Sequence, residues 1–272
     1  MAENCFEKTY MFVFFCSAIV LSVFVCACSG FNGYRTLATQ DSKSEYISIG
    51  SGTPVIVFEN GMGVTMDTWD ALFRQLGHRH RLFAYNRPGY GGSYTHPPLK
   101  KAVDIAEELR NILKKTGHHP PYILVGHSMG GIYINLFARM YPHEVKGVVF
   151  IDSSHPEQYA YQKKHDPWFE IGKFAVQGKD TAYEFGFMET IEKEFIQAGQ
   201  FPQIPLIVLT SGKTEMAESA KTRLQWLRFQ DDLASLSKMS EHRIVKNSGH
   251  FIYIDQREVV IKAIRKVVNR VR

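Results

Sequence analysis

Short apolar runs that end in turn residues alternate with longer stretches of helical period along most of the chain. YISIG (46–50), PVIVFENG (54–61), RLFAYNRPG (81–89), PYILVGHS (121–128), VKGVVFIDS (145–153), PLIVLTSG (205–212) and HRIVKNSGH (242–250) are rich in Val, Ile, Tyr and Phe and read as strands. Met66–Leu76, Leu99–Thr116, Met129–Tyr141, Ala220–Leu236 and Arg257–Val271 read as helices. Strand and helix in regular alternation predict one α/β domain over residues 45–272, a mostly parallel sheet with helices on both faces. One interval breaks the rhythm. Ser153–Gln203 has no strand signal and contains Trp168, Phe169, Phe174, Tyr183, Phe185, Phe187 and Met188. It is too long for a plain loop, so it predicts a helical cap, about residues 153–204, inserted over the strand ends.

Ahead of this domain, Met11–Ala27 runs for seventeen residues without a charge, behind Lys8, and residues 29–44 read as a polar linker. Residues 1–28 are therefore expected to be a signal peptide or membrane anchor. The junction Val25-Cys26-Ala27-Cys28 resembles a bacterial lipoprotein signal, which implies cleavage and lipidation at Cys28. An uncleaved anchor and a cleaved soluble form are the alternatives. The expected location is a membrane, in the cell envelope, or outside the inner membrane after secretion. All four cysteines lie within the first 28 residues, so the fold from Ser29 onward has no internal disulfide to draw on.

The net charge of +5 is a mild excess and gives no nucleic-acid footprint. The densest basic run, Lys262, Arg265, Lys266, Arg270 and Arg272, is interleaved with valines and isoleucines, the pattern of a final helix with one solvated face.

The most specific chemical signal is Gly126-His127-Ser128-Met129-Gly130, placed directly after an apolar strand and directly before a helix. In that setting the glycines permit a sharp turn that strains Ser128 and lifts its hydroxyl above the sheet, while the helix aims its positive end at it. A serine hydroxyl needs a general base to activate it. His250, 122 residues later and just past a strand, is the candidate, ahead of His127, which adjoins Ser128 on the turn. Two carboxylates compete to orient it. Asp152 ends the strand VKGVVFID, and Glu215 stands three residues past Gly212, after the next strand; Asp152 is favoured because a short side chain at a strand end is held in register.

These segments together resemble the α/β-hydrolase superfamily over roughly Tyr46–Arg272. ENGMG, YNRPGYGGS, FIDSSHPEQ and NSGHFIYIDQ fall in the family's order around the elbow. The resemblance implies an oxyanion hole made by the backbone N–H groups of Met62 and Met129, with Asn60 where the family usually has His. It gives YNRPGYGGS a role in the fold and none in the chemistry. A serine at the elbow points to acyl chemistry, with no metal or cofactor required, and a small-molecule acyl substrate. The expected function is a serine hydrolase cleaving an ester or related acyl bond. The same site could serve an acyltransferase, a peptidase or a carbon–carbon hydrolase, and a tethered binding protein on a silent scaffold is the competing class.

Overall fold

A computed structural model describes residues 10–12, 23–25, 31, 33–165, 182–214 and 219–271. Strands β1 (Tyr10–Phe12) and β2 (Val23–Val25) form a separate antiparallel pair within the apolar N-terminal run. The rest of that run, Cys28, Trp168, Phe169, Phe174 and Glu215 lie outside the described residues. Among the described residues no helix is long and apolar enough to cross a membrane.

The domain is built on a nine-stranded sheet. Its members are β3 (Arg35–Ala38), β4 (Ser42–Ile49), β5 (Val55–Glu59), β6 (Arg81–Tyr85), β7 (Tyr94–Thr95), β8 (Tyr122–His127), β9 (Val145–Ile151), β10 (Leu206–Ser211) and β11 (Ser240–Val245). The order is β11-β10-β9-β8-β5-β6-β4-β3, with β7 pairing on β4. From β6 to β11 every pairing is parallel, and β4 pairs antiparallel with β6, β3 and β7.

The stretch 29–44, expected as a linker, is corrected here, since Arg35–Ala38 and the first half of β4 belong to the sheet. The polar composition misled because these strands form an antiparallel edge. Such an edge is wetted on one side, so it needs no continuous apolar run.

The central strands are buried on both faces and are correspondingly apolar. In β5, Val55 and Val57 face one core and Ile56 and Phe58 the other, as the two-residue repeat of a strand dictates. The first core is closed by α2 (Ala102–Lys115), α3 (Met129–Met140) and part of the insertion. The second is closed by α1 (Asp70–Leu76) and the C-terminal helix Arg257–Val271. In that last helix Val260, Ile261, Ile264, Val267 and Val268 are buried while its basic residues take the other face.

The insertion holds helices Gln158–His165, Ala182–Phe187 and Ile191–Gln197. Phe187, Ile191 and Phe195 sink into the first core, and Glu194 accepts a hydrogen bond from the Val103 backbone at 2.8 Å. Glu184 reaches further, to Arg87 just past the carboxyl end of β6.

Candidate active site

Ser128 sits between β8 and α3 with φ 51° and ψ −124°, a conformation that costs a non-glycine residue on the order of 1–3 kcal/mol. Packing enforces it. A Cβ at Gly130 would strike the carbonyl oxygens of Glu59 and Asn60, so only glycine lets the start of α3 press against the end of β5. A Cβ at Gly61 would lie 2.9 Å from His127 Nδ1 and 3.4 Å from Ser128 Cβ, so the loop after β5 is seated directly on the elbow. The strand-turn-helix context thus brings the backbones of Met62 and Met129 to the same corner as Ser128. Met129 is 5% exposed, and Met62 is half-buried.

His250 and Asp152, 98 residues apart in sequence, meet through a 2.6 Å hydrogen bond between His250 Nδ1 and Asp152 Oδ2. Strand order makes this possible, since β9, β10 and β11 are consecutive neighbours and each carries one loop of the site at its carboxyl end. Asp152 follows β9 at φ 42° and is 2% exposed. Its other oxygen accepts from the Ser211 backbone N–H at 2.8 Å and from Trp226 Nε1 at 3.0 Å, so the carboxylate is fixed on three sides. The His250 loop is tied in turn. Gly249 N–H donates to Asp255 at 2.8 Å, and Gly212 and Lys213 donate to the Ser248 carbonyl at 3.1 and 3.0 Å.

His127 is buried beside His250, with ring centroids 4.5 Å apart, and its Nε2 lies 3.1 Å from the His250 carbonyl oxygen. Nε2 is therefore its donor to that oxygen. Burial, helped by the neighbouring His250, holds its pKa well below the ordinary histidine range. A ring sealed in this way packs against the site rather than exchanging protons in it.

Asn60 is fully buried. Its side chain donates to the Tyr85 carbonyl at 2.9 Å and accepts from Trp69 Nε1 at 2.6 Å, so the departure from His at this position serves to pin the loop to β6.

One group of residues escaped the sequence reading. Arg87, in YNRPGYG, is fully buried between Glu59 at the end of β5 and Glu184 of the insertion, at 2.7 and 2.8 Å. Tyr85 donates to Glu59 at 2.8 Å, Tyr133 donates to Glu184 at 2.9 Å, and Tyr90 also donates to Glu184. Burial works against the charge on Arg87, but the two carboxylates outweigh it and raise its pKa well above the usual value. Burial raises the Glu59 carboxyl, and Arg87 offsets part of that rise. The available signal was a glutamate ending an otherwise apolar, wholly buried strand, VIVFE.

The doubly covered parallel sheet, the strained serine between strand and helix, and the site loops at the carboxyl strand ends together define the α/β-hydrolase fold. Comparison with known proteins agrees. The alpha/beta hydrolase fold family model matches residues 54–179. The uncharacterized protein YqjL of Bacillus subtilis is 29% identical over 220 residues, covering 80% of this chain and 85% of that protein. The pimeloyl-[acyl-carrier protein] methyl ester esterase of Hamiltonella defensa is 25% identical, covering 71% and 73%. Two other curated relatives are matched over only 47% and 30% of their own length. Among solved structures, alpha/beta hydrolase domain-containing protein 10 from mouse superposes with a TM-score of 0.65 at 17% identity, over 89% of this chain and all of that one. The chain has the α/β-hydrolase fold.

Proposed function

We propose that this protein is a serine hydrolase that cleaves esters of small acyl compounds through an acyl-enzyme. The observation that carries the reading is the 2.6 Å His250–Asp152 hydrogen bond, formed at the carboxyl strand ends beside the strained Ser128 turn. Ser128 Oγ attacks the ester carbonyl carbon while His250 Nε2 takes its proton. The oxyanion that forms is met by the backbone N–H groups of Met62 and Met129. Collapse breaks the carbon–oxygen bond to the alcohol, which leaves with the proton His250 returns to it. Water then attacks the acyl-enzyme with His250 as base, and the acid is released. Asp152 holds the imidazole in the tautomer that presents Nε2 and stabilises its charged form. An esterase among the sequence relatives supports the choice of ester over other acyl bonds.

A fluorophosphonate probe tests this cheaply. Wild-type protein should be labelled on the peptide that carries Ser128, and the label should be absent from Ser128→Ala; labelling elsewhere, or none, would remove the serine mechanism.

The N-terminal junction extends the proposal to location, with lipid attached at Cys28 and the enzyme acting at a membrane face. Several acyl chains are needed for stable attachment. Mass spectrometry of the membrane fraction should find a diacylglyceryl group on an N-terminal Cys28 that is lost in Cys28→Ser, and a chain still starting at Met1 would contradict it.

A further inference from the structure

Arg87 does more than neutralise two buried carboxylates. Its Nη1 donates to the Asn60 carbonyl at 2.7 Å and its Nη2 to the Gly61 carbonyl at 2.9 Å. Two consecutive peptide carbonyls are thus turned toward one guanidinium. In a trans peptide the C=O and the N–H of the same plane point in opposite directions. The N–H of Gly61 shares a plane with the Asn60 carbonyl, and the N–H of Met62 shares one with the Gly61 carbonyl. Both N–H groups are therefore turned away from Arg87, and successive N–H groups on one side of a turn make an anion-binding concavity. The other side of this loop is where Gly61 abuts Ser128.

Tyr90 closes the arrangement. Its hydroxyl accepts from the Gly63 N–H at 2.8 Å while donating to Glu184. The guanidinium is itself oriented by a carboxylate from the sheet, Glu59, and one from the insertion, Glu184. The planar fork suits this task, because one side chain serves two carbonyls and two carboxylates in fixed directions, which a lysine ammonium cannot do.

We propose that Arg87, clamped between Glu59 and Glu184, is a positioning residue that sets the peptide planes of the 60–63 loop so that the Met62 N–H faces the developing oxyanion, and that Glu184 makes this setting depend on the docked insertion. The proposal rests on the acyl-transfer reading above. It concerns residues that touch neither substrate nor the reacting atoms.

The experiment uses the full chain and begins with wild-type ester hydrolysis and Ser128 labelling. If those fail, the acyl-transfer reading falls and with it the role of Arg87. If they hold, Arg87→Lys and Glu184→Gln are compared with wild type, each confirmed folded by circular dichroism. Arg87→Lys keeps a buried positive charge but loses the fork. It should lower kcat roughly 10- to 100-fold with KM within about twofold, because an oxyanion donor acts in the transition state and not in the ground state. Glu184→Gln should show the same signature at about threefold to tenfold.

A trifluoromethyl ketone, which forms a tetrahedral oxyanion on the serine, should lose affinity in step with kcat/KM, while the product carboxylate keeps its affinity. A role confined to stability would lower the melting temperature and leave both ratios unchanged. Folded variants with wild-type kcat, or with unaltered ketone affinity, overturn the proposal. Should Arg87→Lys not fold, Glu184→Gln decides by the same two readouts.

Discussion

Two buried charge arrangements flank the Ser128 turn, and they differ in what they leave open. On one side Asp152 is 2% exposed and holds His250, whose side chain keeps 11% of its surface accessible. On the other, Arg87 and both of its carboxylates are fully sealed. The first pair contains an imidazole, partly open to the site, whose ring is oriented by a hydrogen bond to a fixed carboxylate. The second contains a guanidinium that cannot lose its proton, locked among carboxylates and carbonyls. One arrangement suits the movement of a proton, and the other suits holding a backbone still. Removing a partner should therefore abolish chemistry on the first side and degrade it by degrees on the second.

The largest effect should come from the residue between them. Ser128→Ala is expected to lower turnover by about a millionfold while the fold and melting temperature persist, the strain at φ 51° passing to alanine. Steady-state assay of a preparation free of wild-type enzyme measures it. A variant that keeps a tenth of the activity would break the comparison at its centre.

Asp152→Asn attacks the proton side alone. The amide cannot stabilise a charged imidazole and offers the wrong hydrogen-bonding pattern to Nδ1, so turnover should fall about ten-thousandfold. Glu215→Gln should stay within about tenfold of wild type, since Asp152 already holds His250. A reversed pair of results would move the acid to Glu215. Set beside them, Arg87→Lys should cost about two to three orders of magnitude less than Asp152→Asn, and that gap is the sharpest expression of the contrast between the two sides.

The smallest effect concerns pH and stability. Burial lowers His118 and His155 to about 4 and also holds His127 well below its ordinary value. The unfolded chain binds protons at these positions below its ordinary histidine pKa of about 6.5, and the folded chain does not. Stability should therefore be complete above that pH and fall as pH drops from about 6.5 to about 4. The limit is on the order of 2–3 kcal/mol for the fully buried His118 and less for the half-buried His155. Glu59, raised by burial, acts in the opposite sense. Urea midpoints at pH 7 and pH 5 check the sign, and a midpoint that rises on acidification would contradict it.

What could be read from the sequence follows from how local each signal is. The buried parallel strands and the Ser128 elbow are legible because their patterns complete within a few residues: continuous apolar runs, and glycines two before and two after a serine. His250 is legible from chain order and its place after a strand. Which carboxylate meets it is legible only in part: the place of Asp152 at a strand end favours it, and it does meet His250, but the meeting depends on β9 lying next to β10 and on the loop after β11 folding back, a property of strand order. The Arg87 group lay further out of reach. Arg87 and Glu184 are 97 residues apart, and nothing near either announces the other. The polar edge β3–β4 hid for a third reason, since a half-wetted antiparallel edge has the composition of a linker.

The central claim is that Ser128 carries the acyl group between two half-reactions. Intact-protein and peptide mass spectrometry on enzyme acid-quenched during turnover of a slow ester tests it most directly. The account predicts the mass of one acyl group on the peptide containing Ser128, accumulating in a burst and absent from Ser128→Ala. Turnover with no covalent adduct, or an adduct on another residue, would contradict it.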